Sequence, residues 1–181
     1  YDQELILRFF AIKNDLEYYK YPVTEYLTWY LEKITTEKTK FNYKKEKRIF
    51  EETFKFINDN WGAEAFSGKT VNGTVRNEFV LYYFDGIAIS LASLIDRITE
   101  YENVKDIVEC VDKIKYGTEL QSYKTGSVNG VKTRIKLFTE GVEKVLDGRW
   151  IKSSTWNGTS LAARRISFFQ KSIEWGGGKQ Q

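Results

Sequence analysis

Phe79–Ile95 reads FVLYYFDGIAISLASLI, and within it only Asp85 carries a charge. A helix that is apolar nearly all round belongs inside a protein core or inside a membrane. A bilayer needs about 20 apolar residues in a row, whereas this run holds two tyrosines and then Asp85 and Gly86 near its middle. It therefore reads as a buried helix of an all-α domain rather than a membrane span. Val80, Phe84, Ile87, Leu91, Leu94 and Ile98 recur at helical spacing, with Phe79, Tyr83, Ala88 and Ile95 on the flanks. The pattern predicts a central helix over residues 77–99, with about seven helices in all, each offering one apolar stripe.

Composition agrees with a large core. Aromatic residues make up 16% of the 181 positions, with twelve Tyr, twelve Phe and five Trp. A chain of this length buries roughly 70% of its unfolded surface and needs no covalent staple. The single cysteine, Cys110, cannot form an internal disulfide and sits on an apolar stripe, so it reads as a small core residue rather than a nucleophile. Histidine is absent, which removes the commonest metal ligand and general base, together with any HNH nuclease site or Ser-His-Asp triad. There is no methionine and the chain begins at Tyr1, so it reads as a fragment or processed piece. One proline, Pro22, interrupts it, which suits helices better than a sandwich of many turns.

Outward from the apolar stretch, the same periodicity marks the other helices. Leu5, Phe9, Ile12 and Leu16 define a first helix over residues 2–17, with acidic residues in its first turn. Val23, Tyr26, Leu27, Tyr30, Leu31 and Ile34 follow Pro22. Phe50, Phe54, Ile57 and Trp61 mark a third helix from about Tyr43, closed by Gly62. Lys44, Lys45, Lys47 and Arg48 crowd its start, where positive charge opposes the helix macrodipole. Residues 63–76 are a Gly/Ser/Thr/Asn loop. Thr99-Glu100-Tyr101-Glu102 reads as a capping box ahead of a helix through Ile107, Val111 and Ile114. Val131, Ile135, Phe138, Val142 and Val145 mark a sixth helix, with Lys132, Arg134 and Lys136 on its outer face. Residues 160–175 form a seventh, and residues 176–181 a disordered tail. Residues 1–175 thus read as one domain.

Charge is uneven along the chain. Residues 1–112 hold 15 Lys/Arg against 20 Asp/Glu, and residues 113–181 hold 13 against 5. A basic last third can meet nucleic acid or an acidic partner face. Lys132, Arg134, Lys136, Arg149, Lys152, Arg164, Arg165 and Lys171, interleaved with Trp150, Trp156 and Phe168, form the candidate DNA-contacting set: cations neutralise phosphates and exposed aromatics stack on bases. The bland alternative is a solvated helical surface. Residues 62–70, GAEAFSGKT, resemble a phosphate-binding loop with one residue too many between the glycines, and they follow a helix rather than a strand. Asp85 requires donors if buried, and a tyrosine, a helix end or an arginine would supply them. No catalytic residue, metal site or cofactor is expected in this chain.

Three stretches together resemble a known family. Asp2-Gln3-Glu4-Leu5-Ile6-Leu7-Arg8-Phe9-Phe10-Ala11 resembles the "D-x-E-x-[IL]-L-R-F-x-A" helix of GmrSD-type prokaryotic restriction and phage-defence proteins. Trp61-Gly62, Ala65-Phe66, Asn77 and Phe84-Asp85 are similar to that family's "[FW]-G-x-x-A-F … N … F-[DE]" segment. Thr125-Gly126-Ser127-Val128 with Thr133-Arg134-Ile135 is similar to its "T-G … S-V … R-I" helix start. The resemblance spans most of residues 1–150. It implies a helical region that follows an N-terminal ParB/sulfiredoxin-like domain, the latter holding a D-G-Q-Q-R-type nucleotide-hydrolysis motif. That motif has no counterpart here, so the parent would be the nucleotide-dependent DNA endonuclease and this chain its non-catalytic helical part. The implied partners are DNA, the parent's ParB-like domain and a second copy, in the cytoplasm and off the membrane. The alternative is a helical protein-interaction or scaffold module with no nucleic-acid role.

Overall fold

The computed structural model describes residues 2–36, 41–70 and 72–150. The fold is all-α. Among the described residues there are six α-helices: α1 (Asp2–Asp15), α2 (Val23–Thr35), α3 (Tyr43–Trp61), α4 (Leu81–Thr99), α5 (Val104–Lys115) and α6 (Val128–Leu146). Short 3-10 turns follow α1, α3 and α5. The helix expected over residues 160–175 lies outside the described residues.

α4 buries thirteen of its nineteen residues, from Tyr83 to Ile98. It packs against α1, α3, α5 and above all α6. Two features bring α6 close. Gly86 leaves room for the Phe138 ring, which a Cβ there would meet at 2.6 Å. Ser90 Oγ donates to the Ile135 carbonyl at 2.9 Å. α6 meets α5 through a second small residue: a Cβ on Gly141 would clash with the Ile114 side chain. Among the described residues no helix is long and apolar enough to cross a membrane.

Two expectations about helix ends are corrected. α4 starts at Leu81, not at residue 77, because the backbone before it is engaged elsewhere. Val80 is extended and its N–H donates to the Phe66 carbonyl, while Arg76 N–H donates to Gly68. The capping box at residues 99–102 does not form. Asn103 precedes α5 and its side chain makes no cap bond. Thr99 Oγ1 instead donates back to the Asp96 carbonyl at 3.0 Å, closing α4. A hydroxyl late in a helix reaches the preceding turn more easily than an amide beyond the next loop.

Candidate functional site

The most highly charged buried spot lies where α1, α4 and α6 meet. Asp85, fully buried on α4, accepts from Arg8 Nε at 2.6 Å and Arg8 Nη2 at 2.7 Å. Its second oxygen also accepts from Arg134 Nη2 at 2.5 Å. Arg8 and Arg134 are 3% and 2% exposed. Arg134 Nη1 turns the other way and donates to the Tyr123 and Thr125 carbonyls, at 3.0 and 2.7 Å. The Nε of Arg134 is buried without a partner. Tyr19, also buried, donates to the Gly126 carbonyl at 2.9 Å and ties the same loop to the end of α1.

Local sequence explains the placement. Arg8 stands three residues after Leu5 and four before Ile12, so it points inward on α1. Arg134 stands three after Val131 and four before Phe138, so it points inward on α6. Both stripes face α4, and Asp85 is the one carboxylate there. A bidentate guanidinium–carboxylate pair is the geometry that makes such burial tolerable. Burial alone would lower the pKa of Arg8, but the Asp85 carboxylate outweighs it and holds the guanidinium above its ordinary value. Guanidinium groups do not lose their proton near neutrality. The cluster works as a three-helix clasp, with a carboxylate from α4 held between guanidinium groups from α1 and α6.

The three stretches singled out in the sequence each send a charged side chain into this clasp: Arg8 from the Leu-Arg-Phe helix, Asp85 from the Phe-Asp step, Arg134 from the Arg-Ile helix start. Thr125, at the head of the third stretch, contributes a carbonyl. The first part of the second stretch, Trp61 to Phe66, sits beside a second buried cation. Lys115, 1% exposed, donates to the Glu64 carbonyl at 2.9 Å. Its ammonium also lies 5.3 Å from the Tyr83 ring centre and 5.0 Å from that of Tyr116. Burial pushes its pKa down to about 8.

Among the described residues, the expected DNA-contacting cations do not form one face. Arg134 is corrected outright: it is a core residue, and a guanidinium enclosed by Asp85 and two carbonyls cannot reach a phosphate. Lys132 is half-buried and donates to the Glu17 carbonyl at 3.2 Å. Lys136 is exposed, 3.6 Å from Glu140 one turn on. Arg149 is exposed and paired with Asp147, which also takes Arg97 at 2.7 Å. Trp150 is half-buried, with Lys113 5.0 Å over its ring. Lys152, Arg164, Arg165, Lys171, Trp156 and Phe168 lie outside the described residues.

Residues 62–70 do not cradle a phosphate. They begin as a 3-10 turn behind α3, and Lys69 pairs with Val75 in an isolated antiparallel bridge rather than opening a helix. The Lys69 ammonium lies 4.0 Å over the Tyr116 ring. Cys110 is fully buried, and that burial pushes its thiol up to about 12, the opposite of an activated nucleophile. Among the described residues no three acidic, cysteine or histidine side chains converge as a metal site would require. No family model, curated protein or solved structure matches the chain.

Proposed function

We propose that this chain is a helical accessory domain of a GmrSD-like prokaryotic defence protein, acting in assembly rather than in chemistry. The reading is supported chiefly by one observation: the three stretches that resemble that family supply Arg8, Asp85 and Arg134 to a single buried clasp. Residues whose side chains meet in the core act through architecture. In this reading nucleotide hydrolysis and DNA cleavage belong to other domains of a parent protein in the cytoplasm, and the chain supplies a platform on which they are held.

Direct DNA contact in place of assembly is the second reading, favoured by Lys136 and Arg149 at the surface and by the basic balance of residues 113–181. A salt titration of the chain against a short duplex and a single strand separates the two. A platform without DNA contact gives no binding even at low salt. A DNA-contacting domain gives binding whose logarithm falls linearly with log salt, with a slope near −0.9 per phosphate neutralised on duplex DNA. Steep duplex binding would overturn the assembly reading. A helical interaction module outside any defence system would also leave DNA unbound, and is separated from the platform by whether a GmrSD-type ParB-like domain co-elutes with the chain.

A further inference from the structure

α1 and α3 run antiparallel: Asp2 and Leu5 lie by Phe54, whereas Lys13 at the other end pairs with Glu46 at 2.8 Å. Both helices pack on α4, and they meet each other through aromatic side chains, Phe9 against Phe50 and Phe54 at 5.3 and 5.5 Å between ring centres, leaving a gap above those rings. The gap is a trough of two adjoining hollows, of about 240 and about 410 Å³, which share Ile6 and Phe50 as lining. Its floor is a chain of touching rings from Phe41 through Phe10, Phe50 and Phe54 to Phe84. Three apolar side chains on its walls face solvent: Ile6 is 45% exposed, Phe79 44% and Tyr43 73%.

The ends of the trough differ in charge. Asp2, with Glu4 in the same first turn of α1, stands at one end. At the other stand Lys47, 3.7 Å from Glu51, and Lys44 one turn earlier on α3, with Glu46 beside them already paired to Lys13, so three cations there face two carboxylates. Lys44 and Lys47 oppose the macrodipole of their own helix, a mild local conflict. A helix lying in the trough would relieve it by bringing its negative C-terminal end to Lys47 and its positive N-terminal end to Asp2. The lining runs from residue 2 to 10 on α1 and from 43 to 54 on α3. At 1.5 Å per residue that is about 12–16 Å, or roughly two to three helical turns.

We propose that this trough seats an amphipathic helix of another polypeptide, with apolar residues at i, i+3 or i+4 and i+7 against the phenylalanine floor, its N-terminus beside Asp2 and its C-terminus beside Lys47. This is the helix-in-groove mode of recognition. It deepens the assembly reading by naming the chemistry of the partner; the duplex titration tests that reading separately.

The probe is a fluorescent, hydrocarbon-stapled 14-residue helix with leucines on one face and capped, uncharged ends, titrated by anisotropy against the full chain. Saturable binding is expected. Ile6→Glu and Tyr43→Glu each weaken it about tenfold or more, as removal of a groove anchor does. Both sites are solvent-exposed, so unchanged thermal unfolding of each variant is expected and keeps the comparison fair. Asp2→Lys with Lys47→Glu weakens binding a few-fold by reversing both ends. No saturable binding, or binding indifferent to Ile6→Glu and Tyr43→Glu, overturns the proposal. So does sedimentation showing a dimer of the chain that Ile6→Glu dissolves, because the trough would then belong to a second copy.

Discussion

The molecule contains the same trio twice. Arg8, Asp85 and Arg134 meet in the core; Arg97, Asp147 and Arg149 meet at the surface. The charged atoms are equally close in both, at 2.5 to 2.7 Å. What differs is the medium. Asp147 is open to solvent, which competes with every contact, whereas Asp85 is fully buried, so a departing partner leaves a charge shielded from solvent. Ion-pair counts therefore say little about stability until burial is known.

The largest test of that contrast is Asp85→Asn. It leaves two buried guanidiniums facing a neutral amide, and the expected loss is about 3–5 kcal/mol, enough to unfold a domain of ordinary stability at moderate temperature. Circular dichroism and urea unfolding read it. Loss of less than about 1 kcal/mol would mean that the cluster is hydrated and no different in kind from the surface trio.

Arg134→Lys is the next in size. A lysine keeps the charge but cannot span Asp85 on one side and two carbonyls on the other, so about 2–3 kcal/mol is expected to go. Replacing the whole cluster with apolar residues, Arg8→Met with Asp85→Leu and Arg134→Met, should recover much of the loss of the single variants. Recovery stays incomplete, because the Tyr123 and Thr125 carbonyls lose their donor.

Lys115 gives a pH signature. Its folded pKa, about 8, lies below the ordinary lysine value. Between the two the unfolded chain binds more protons than the folded one, so stability rises as pH climbs from about 8 towards 10. Below pH 8 both states are protonated and the cost of burying the charge is felt in full. Tyrosines act oppositely but later: burial raises Tyr26 and Tyr83, and takes Tyr30 to about 12, so their effect is a fall in stability above about pH 10. The urea midpoint should therefore rise between pH 7.5 and 9.5 in the parent chain, by less than Lys115 alone would give, because the buried Cys110 thiol, pushed up to about 12, opposes it from its ordinary value upward; in Lys115→Met the rise should give way to a small fall.

The smallest effect expected is for Asp147→Ala. Its carboxyl is held below the usual range by Arg149 and then by Arg97, yet it is solvent-exposed and both cations can turn to water. The urea midpoint should not move beyond experimental error. A clear loss would show that the surface trio is ordered far more firmly than exposed pairs normally are.

The helical periodicity was legible in the six described helices, with Leu31 as an exception: counted on the α2 stripe, it is 46% exposed. The stripes of α1, α2, α3, α5 and α6 follow the apolar spacing, because a 3.6-residue repeat needs no knowledge of the partner helix. The clasp was half legible. Asp85 stood out as a lone charge in an apolar run, and its need for donors follows from the chemistry of burial. Its partners were missed, although a signal existed. Arg8, Arg134 and Lys115 each fall three or four residues from apolar neighbours on the inward stripe of their helix. Counting cations as outward by default put Arg134 on the wrong face. The signal becomes decisive only when a buried acid is known to wait opposite.

The sequence by itself determined the all-α class, the inward stripe of α4 and the absence of histidine, because each depends on residue type and spacing alone; the start of the apolar run, with Phe79 44% and Leu81 39% exposed, is not buried. Only the tertiary structure decided that residues 8, 85 and 134, remote in the chain, share one ion cluster. It also decided that the backbone before Leu81 pairs with the Phe66 loop, and that α1 and α3 leave an aromatic trough between them. Those outcomes depend on which helices pack together and at what separation, and local periodicity carries no information about distance between elements.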